Sequence, residues 1–378
     1  MRESNLIIGI TAPVSVNLIR GQAKFFSENG YRTFLLAPNH PLTIEYCDNE
    51  NCTLLPVNIR RDISIISDFK ALITVFIHFF RVRPDVVNVG TPKMGLLGML
   101  AAWILRIKKR VYTCRGFRYE HESGRKRKIL MFMERLSGIC AQEVVCISPS
   151  VKELGVRDAV FNEKKCRVIH NGSSNGINRL KFDPSKVPDE KRSEVTDQLG
   201  IKDSFVYGYV GRLIDRKGIA ELYQAFSLVY DKDLDVRLLI IGPLEFDQIS
   251  DNLLVDKLKA HPGIIMPGRT DDVPLYLSVM DVFVLPAWWE GFGNVLIEAA
   301  CMGIPVISTK GTGTRDAVND GFNGILVDVG NVDQLVEAML NLKNNESKRI
   351  EMGRNGMEWA KNFDNKVIWN GLLELYQT

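Results

Sequence analysis

Short apolar runs alternate with longer amphipathic segments through the first half of this chain. Residues 6–10, 33–36, 53–57, 86–89, 110–113, 144–147 and 167–169 have strand length, and helix-length sequence separates most of them. Apolar strands alternating with amphipathic helices predict a parallel, doubly wound sheet with helices on both faces. A polar, proline-bearing stretch from about residue 182 to 202 interrupts the rhythm and reads as a linker. A second series follows, with strands at 206–210, 237–241, 264–266, 282–285, 305–307 and 325–327. The pattern therefore predicts α/β domains in tandem at 1–185 and 186–362. In the last segment the apolar positions Val367, Trp369, Leu372, Leu373, Leu375 and Tyr376 predict a terminal helix at 363–378. Periodicity leaves open whether it packs on its own domain or crosses back to the first.

Composition narrows the class. At 378 residues, 46% hydrophobic and 25% charged, the chain is long enough for two cores and close to globular averages. The longest greasy segment, residues 94–105, falls short of a bilayer span of about 20 residues. The opening M-R-E-S-N-L-I-I-G-I reads as a first strand rather than a signal peptide. Seven cysteines without Cys-x-x-Cys or zinc spacing predict a reducing, cytoplasmic setting and no metal site.

Charge divides the chain unevenly. Residues 1–200 carry 31 Lys+Arg against 20 Asp+Glu, or +11, and the remainder 17 against 25, or −8, giving the overall +3. Positive charge is densest at 106–128, with K-K-R at 108–110 and R-K-R-K at 125–128. Such a region is either a solvated face or a surface for an anionic membrane or a phosphate-bearing acceptor; the latter predicts a peripheral place on the inner face of the cell membrane. Nothing indicates nucleic acid.

The candidate chemistry gathers in the second half. E-G-F-G-N-V-L-I-E, residues 290–298, combines two carboxylates, a glycine hinge and a helix expected at about 293–302. Glu298 is the single charge in that helix: it lies either on a solvent edge or, among its apolar neighbours, against a cation or hydroxyl or amide donors such as a ribose diol, and the nearby Glu290, Gly291 and Gly293 shift the balance to the second. The helix N-terminus suits anionic oxygens. Upstream, Gly211 and Arg212 end a strand and Lys217 precedes the next helix, a pair of cations suited to a diphosphate. Gly242, Pro267 and Gly268 stand at the ends of the following strands, where backbone can approach a flat base. The loop S-T-K-G-T-G-T-R-D after residue 307 adds glycines and hydroxyls near the same edge. In the first half, the loop T-A-P-V-S, ending at Ser15, lacks the glycines of a dinucleotide fingerprint, and the nearest glycine, Gly21, falls in the expected following helix.

Taken in order, V-G-R-L with K-G, D-V-F-V-L-P, E-G-F-G-N-V-L-I-E-A, G-I-P-V-I and G-x-N-G-I-L-V resemble the family 4 glycosyltransferases of the GT-B fold. T-P-K-M-G at 91–95, Y-T-C-R-G at 112–116 and H-N-G-S-S-N-G-I at 170–177 place the resemblance in the bacterial capsule, exopolysaccharide and O-antigen branch. The resemblance implies two Rossmann-like domains, the first holding the acceptor and the second the nucleotide-sugar. It implies that Arg212 and Lys217 hold the donor diphosphate, that Glu298 takes the ribose hydroxyls, and that Glu290 faces the donor sugar. Backbone amides across Gly291, Phe292, Gly293, Asn294 and Val295 would contact sugar and phosphate. Ser15, Arg115, Arg118 and His121 are the acceptor-side candidates. Catalysis would fall to Glu290, Arg212, Lys217 and Arg115, with retention of anomeric configuration and no metal or cofactor beyond the UDP-sugar co-substrate.

The implied reaction moves a hexose or N-acetylhexosamine from a UDP-sugar to a lipid-diphosphate-linked glycan. Many relatives carry a histidine where this chain has Cys114-Arg115-Gly116, so Arg115 either replaces it or binds an acceptor phosphate. Two other readings share the scaffold: a sugar-nucleotide epimerase, and a nucleotide-sugar binder without catalysis. The paired glutamates and the V-G-R-L/K-G set favour transfer.

Overall fold

The computed structural model describes residues 3–59 and 64–378. The chain divides into two compact units, one comprising the chain up to Gly176 together with Lys366–Thr378, the other Ile177–Asn365.

Seven strands build the first unit: β1 (Ser4–Gly9), β2 (Tyr31–Ala37), β3 (Thr53–Pro56), β4 (Val86–Gly90), β5 (Lys109–Cys114), β6 (Glu143–Cys146) and β7 (Cys166–Arg167). They are parallel throughout and ordered β3-β2-β1-β4-β5-β6-β7. The alternation of side chains along each strand explains why the runs are apolar without a break. Ile7, Val87, Val89 and Tyr112 enter one core, while Leu6, Ile8, Val86 and Val111 enter the other, on the opposite face. The first core is roofed by the helices Ile65–Val82, Pro92–Ile104 and Gly124–Cys140, neighbours in that order.

The last helix, Asn365–Gln377, helps roof the second core. Ile368, Leu372 and Tyr376, one turn apart, are buried there, and the Trp369 indole donates to Asn175 Oδ1 at 2.7 Å. Gly21 makes this approach possible: its φ is +86°, and a Cβ would stand 2.4 Å from the Trp369 ring. Gly21 is thus the cap before the helix Gln22–Glu28 rather than a residue within it.

The second unit repeats the plan with β8 (Phe205–Val210), β9 (Val236–Ile241), β10 (Ile264–Gly268), β11 (Val282–Leu285), β12 (Val306–Thr309) and β13 (Gly324–Val327), ordered β10-β9-β8-β11-β12-β13 and all parallel. Strand order reverses between β1 and β4 in one sheet and between β8 and β11 in the other, the places where such sheets open a crevice at their carboxyl edge.

The stretch expected as a linker is largely a helix, Asp189–Leu199, lying within the second unit. It buries only Val195, so its composition resembles a tether; Asp189 and Glu190 in its first turn and left-handed Gly200 at its end are the signals that stabilise it. The division of the chain falls earlier, after Gly176.

Candidate active site

At the carboxyl edge of the second sheet, β8 runs out through Gly211 and Arg212 into a 3-10 turn, Asp215–Lys217, closed by Gly218 in the left-handed region. Adjacent side chains in a 3-10 turn diverge, yet Arg216 and Lys217 both reach one carboxylate. Lys217 Nζ pairs with Glu290 Oε1, and Arg216 Nη1 donates to the same oxygen at 3.3 Å. Lys217 and Glu290 are each only 13% exposed, so this pairing is largely shielded from water. Arg212 points to a second, more open carboxylate, Glu245, at 2.9 Å. In these ion pairs three cations meet two carboxylates.

Close backbone contacts fix the geometry. The Trp288 amide donates to Arg216 O at 2.9 Å and the Glu290 amide to Thr312 O at 2.8 Å. The second contact depends on Gly313, whose φ is +76° and where a Cβ would lie 2.2 Å from the Glu290 carbonyl oxygen. Gly211, Gly242 and Gly268 form a row at the ends of β8, β9 and β10: the Gly211 amide donates to Ile241 O and the Gly242 amide to Gly268 O, each at 2.9 Å. Pro267 is exposed beside them.

The helix Asn294–Cys301 begins at Gly293 with no side-chain cap. Gly291 and Val295 are half-buried at this terminus, whereas the Phe292 ring packs against Phe363 at 5.2 Å between centroids. The Phe292 side chain is therefore part of the core. Glu298, further along, makes no hydrogen bond or ion pair through its carboxylate among the described residues. Burial pushes this carboxyl up to about 7, offset slightly by Lys181.

In the first unit the acceptor-side candidates lie in loops beyond the same edge of their own sheet. Ser15 sits in the turn Pro13–Leu18 after β1, and Arg115 directly follows β5. Arg118 is exposed, and His121 lies 4.0 Å from Glu120. Arg115 is the most distinctive. Its Nε donates to Ser174 Oγ at 2.7 Å, its Nη1 is buried without a hydrogen-bond partner, and no carboxylate pairs with it among the described residues. The missing Cβ of Gly90 makes its space, since one there would stand 1.6 Å from Nη1. Burial lowers the guanidinium to about 10, leaving it cationic at neutral pH.

Sequence reasoning missed Arg216, Glu245 and Lys181. Arg216 was hidden by its position beside Lys217; Glu245 and Lys181 carry no motif. The 308–316 loop was noted, but its contact with Glu290 is a tertiary fact.

Two doubly wound parallel sheets, the second carrying a cation–carboxylate cluster at its carboxyl edge, have the architecture of the GT-B fold. Residues 15–173 match the sequence family described as Glycosyltransferase Family 4, and residues 191–359 that described as Glycosyl transferases group 1. The chain belongs to the family 4 glycosyltransferases. It is 36% identical to the capsular polysaccharide biosynthesis glycosyltransferase CapM of Staphylococcus aureus, covering 100% of this chain and 98% of that one. It is 27% identical to the UDP-Gal:alpha-D-GlcNAc-diphosphoundecaprenol alpha-1,3-galactosyltransferase of Escherichia coli, over 87% and 82% of the two chains. Among solved structures, a glycosyltransferase of Rickettsia africae has a TM-score of 0.82 at 19% identity, with 100% and 98% covered. HepE of Anabaena, in complex with UDP-glucose, has a TM-score of 0.79 at 18% identity, with 98% of each covered. These structures share the fold.

Proposed function

We propose that this enzyme transfers a hexose or N-acetylhexosamine from a UDP-sugar to a lipid-diphosphate-linked glycan in surface polysaccharide synthesis, with retention at the anomeric carbon and without a metal ion. The observation that carries the reading is the convergence of Arg216 and Lys217 on Glu290, with the unpartnered Glu298 in the helix that Glu290 introduces. The relatives' names, one with a UDP-galactose donor and a diphosphoundecaprenol acceptor, support the two substrate classes.

On donor binding, Lys217, Arg212 and Arg216 exchange carboxylate partners for diphosphate oxygens, and the N-terminus of Asn294–Cys301 adds its backbone amides. The ribose hydroxyls donate to Glu298, supplying the hydrogen bonds it lacks. Glu290, freed in part from its cations, accepts from hydroxyls of the donor sugar. The bond between the anomeric carbon and the β-phosphate oxygen breaks as the acceptor oxygen approaches from the same face. The acceptor proton passes to the departing phosphate oxygen, and the cations hold the charge that develops on UDP. Arg115, unpaired in the first unit, holds an acceptor phosphate.

The test is a donor screen by UDP and GDP release with undecaprenyl-diphosphate-linked sugars. Release only with a UDP-sugar and acceptor together, lost in Lys217→Ala and Glu298→Ala, is expected. Full activity in both variants, or conversion of donor without acceptor, would overturn the reading.

A further inference from the structure

We propose that the outer face of the helix Ile65–Val82 lies in the interface of an anionic phospholipid membrane, which anchors the first unit without spanning the bilayer. The proposal rests on the lipid-linked acceptor reading for its purpose, but not for its test. Its centre is the helix Ile65–Val82, and part of the cationic 106–128 sequence borders it.

The helix has two apolar faces. Ala71, Val75 and Phe79 are buried in the core. On the other side, Ile66 is 74% exposed, Phe69 63% and Phe80 61%, with Ile73 and Ile77 exposed between them. At 100° per residue these five fall within an arc of about 80°, directed away from the buried face and running about 20 Å along the axis. Single exposed apolar residues are ordinary; a continuous stripe the length of a helix is not. The neighbouring helices extend it, with exposed Trp103 and Ile104 at the end of Pro92–Ile104 and Ile129, Phe132 and Ile139 on Gly124–Cys140.

Charge identifies the occupant. Lys70, Arg81, Arg83, Arg106, Lys108, Arg125 and Lys128 are exposed around this layer. The three helices contain two carboxylates, and both are engaged: Asp68 pairs with Lys93 at 2.8 Å, and buried Glu134 accepts from the Tyr112 hydroxyl at 2.7 Å. The face is thus apolar and cationic with no free acid. A second copy docking on it symmetrically would set cation against cation. An anionic lipid surface satisfies both components at once, the rings entering the acyl boundary and the cations meeting headgroups. No helix among the described residues is long and apolar enough to cross a membrane, so the helix lies in the plane.

The experiment is flotation of the full chain with vesicles of phosphatidylcholine alone and of phosphatidylcholine mixed equally with phosphatidylglycerol. Wild type should bind the mixed vesicles, and binding should fall with salt. Phe69→Gln with Phe80→Gln should lower the partition coefficient by about 10-fold to 100-fold. Lys70→Gln, Arg81→Gln and Arg83→Gln should each lower it about fivefold on mixed vesicles only. All sites are exposed, and unchanged thermal unfolding together with unchanged transfer to a short-chain, water-soluble acceptor would show that the variants are folded. Equal binding of wild type and the double-Phe variant would overturn the proposal. So would a wild-type dimer that the double-Phe variant abolishes, with no vesicle binding in either. Vesicle binding without extension of any lipid-linked acceptor would leave the docking face standing and remove the functional reading instead.

Discussion

Replacing Glu298 with Gln should stabilise the free protein and weaken its grip on donor, both in a pH-dependent way. The folded chain holds this carboxyl at about 7 rather than 4.5 because burial opposes its charge and no donor compensates. At 1.36 kcal/mol per pH unit the unscreened ionisation penalty is a little over ~3 kcal/mol. The side chain retains part of its surface, and solvent screening brings this to about 1–2 kcal/mol. The sign follows from the raised value. Below about 4.5 the carboxyl is protonated in both folded and unfolded chains, and the wild type bears no penalty. Between 4.5 and about 7 the unfolded chain ionises first, so stability falls, and above 7 the full cost is present.

Urea unfolding should therefore show Glu298→Gln more stable than wild type by about 1–2 kcal/mol at pH 8 and equal to it near pH 4. Ribose hydroxyls favour the ionised carboxylate, so donor binding should release a proton near pH 7. A UDP-sugar is the right titrant, because its diphosphate diester does not titrate there. Calorimetry in buffers of differing ionisation enthalpy should detect the release in wild type and not in Glu298→Gln. A variant as stable as wild type at pH 8, or proton release unchanged by the substitution, would refute the assignment.

Lys217→Ala should lower kcat/KM by about 10²–10³ in steady-state transfer assays, with Lys217→Arg recovering part of it, since the site loses charge at the leaving group. Gly313→Ala should cost at least ~2 kcal/mol in urea unfolding and raise donor KM, because its Cβ would drive the 308–316 loop off the Glu290 carbonyl from a left-handed backbone. Arg115→Met should raise stability by ~1 kcal/mol, since it removes a half-buried cation with no carboxylate partner, while raising acceptor KM; unchanged acceptor kinetics would place Arg115 outside the acceptor site. Glu134→Gln, at a carboxyl likewise pushed up to about 7 by burial, should stabilise at pH 8 and not near pH 4, with no effect on donor binding.

Strand positions were legible because a parallel sheet buries both faces, leaving unbroken apolar runs such as Leu6, Ile7 and Ile8 that no exposed element imitates. The Asp189–Leu199 helix was misread because one buried residue, Val195, gives almost no periodic signal. Glu290, Lys217 and Glu298 could be marked from sequence since each breaks an apolar or glycine-rich context. That Lys217 and Arg216 share one oxygen of Glu290 could not, because residues 216 and 290 come together only through the order β8-β11 and the contact of Trp288 with Arg216. The exposed stripe of Ile65–Val82 was unreadable for a different reason: a helix apolar on two sides looks wholly buried until its neighbours are known.

The return of Asn365–Gln377 to the first unit sets an order on biosynthesis. A ribosome delivers all seven strands of that sheet long before the helix that completes the cover of one face of them. Until Ile368, Leu372 and Tyr376 emerge, the hollow beside Leu6, Ile8 and Val111 stays open, and the nascent first unit waits, unfinished, while the second unit, whose residues are contiguous, completes its own fold.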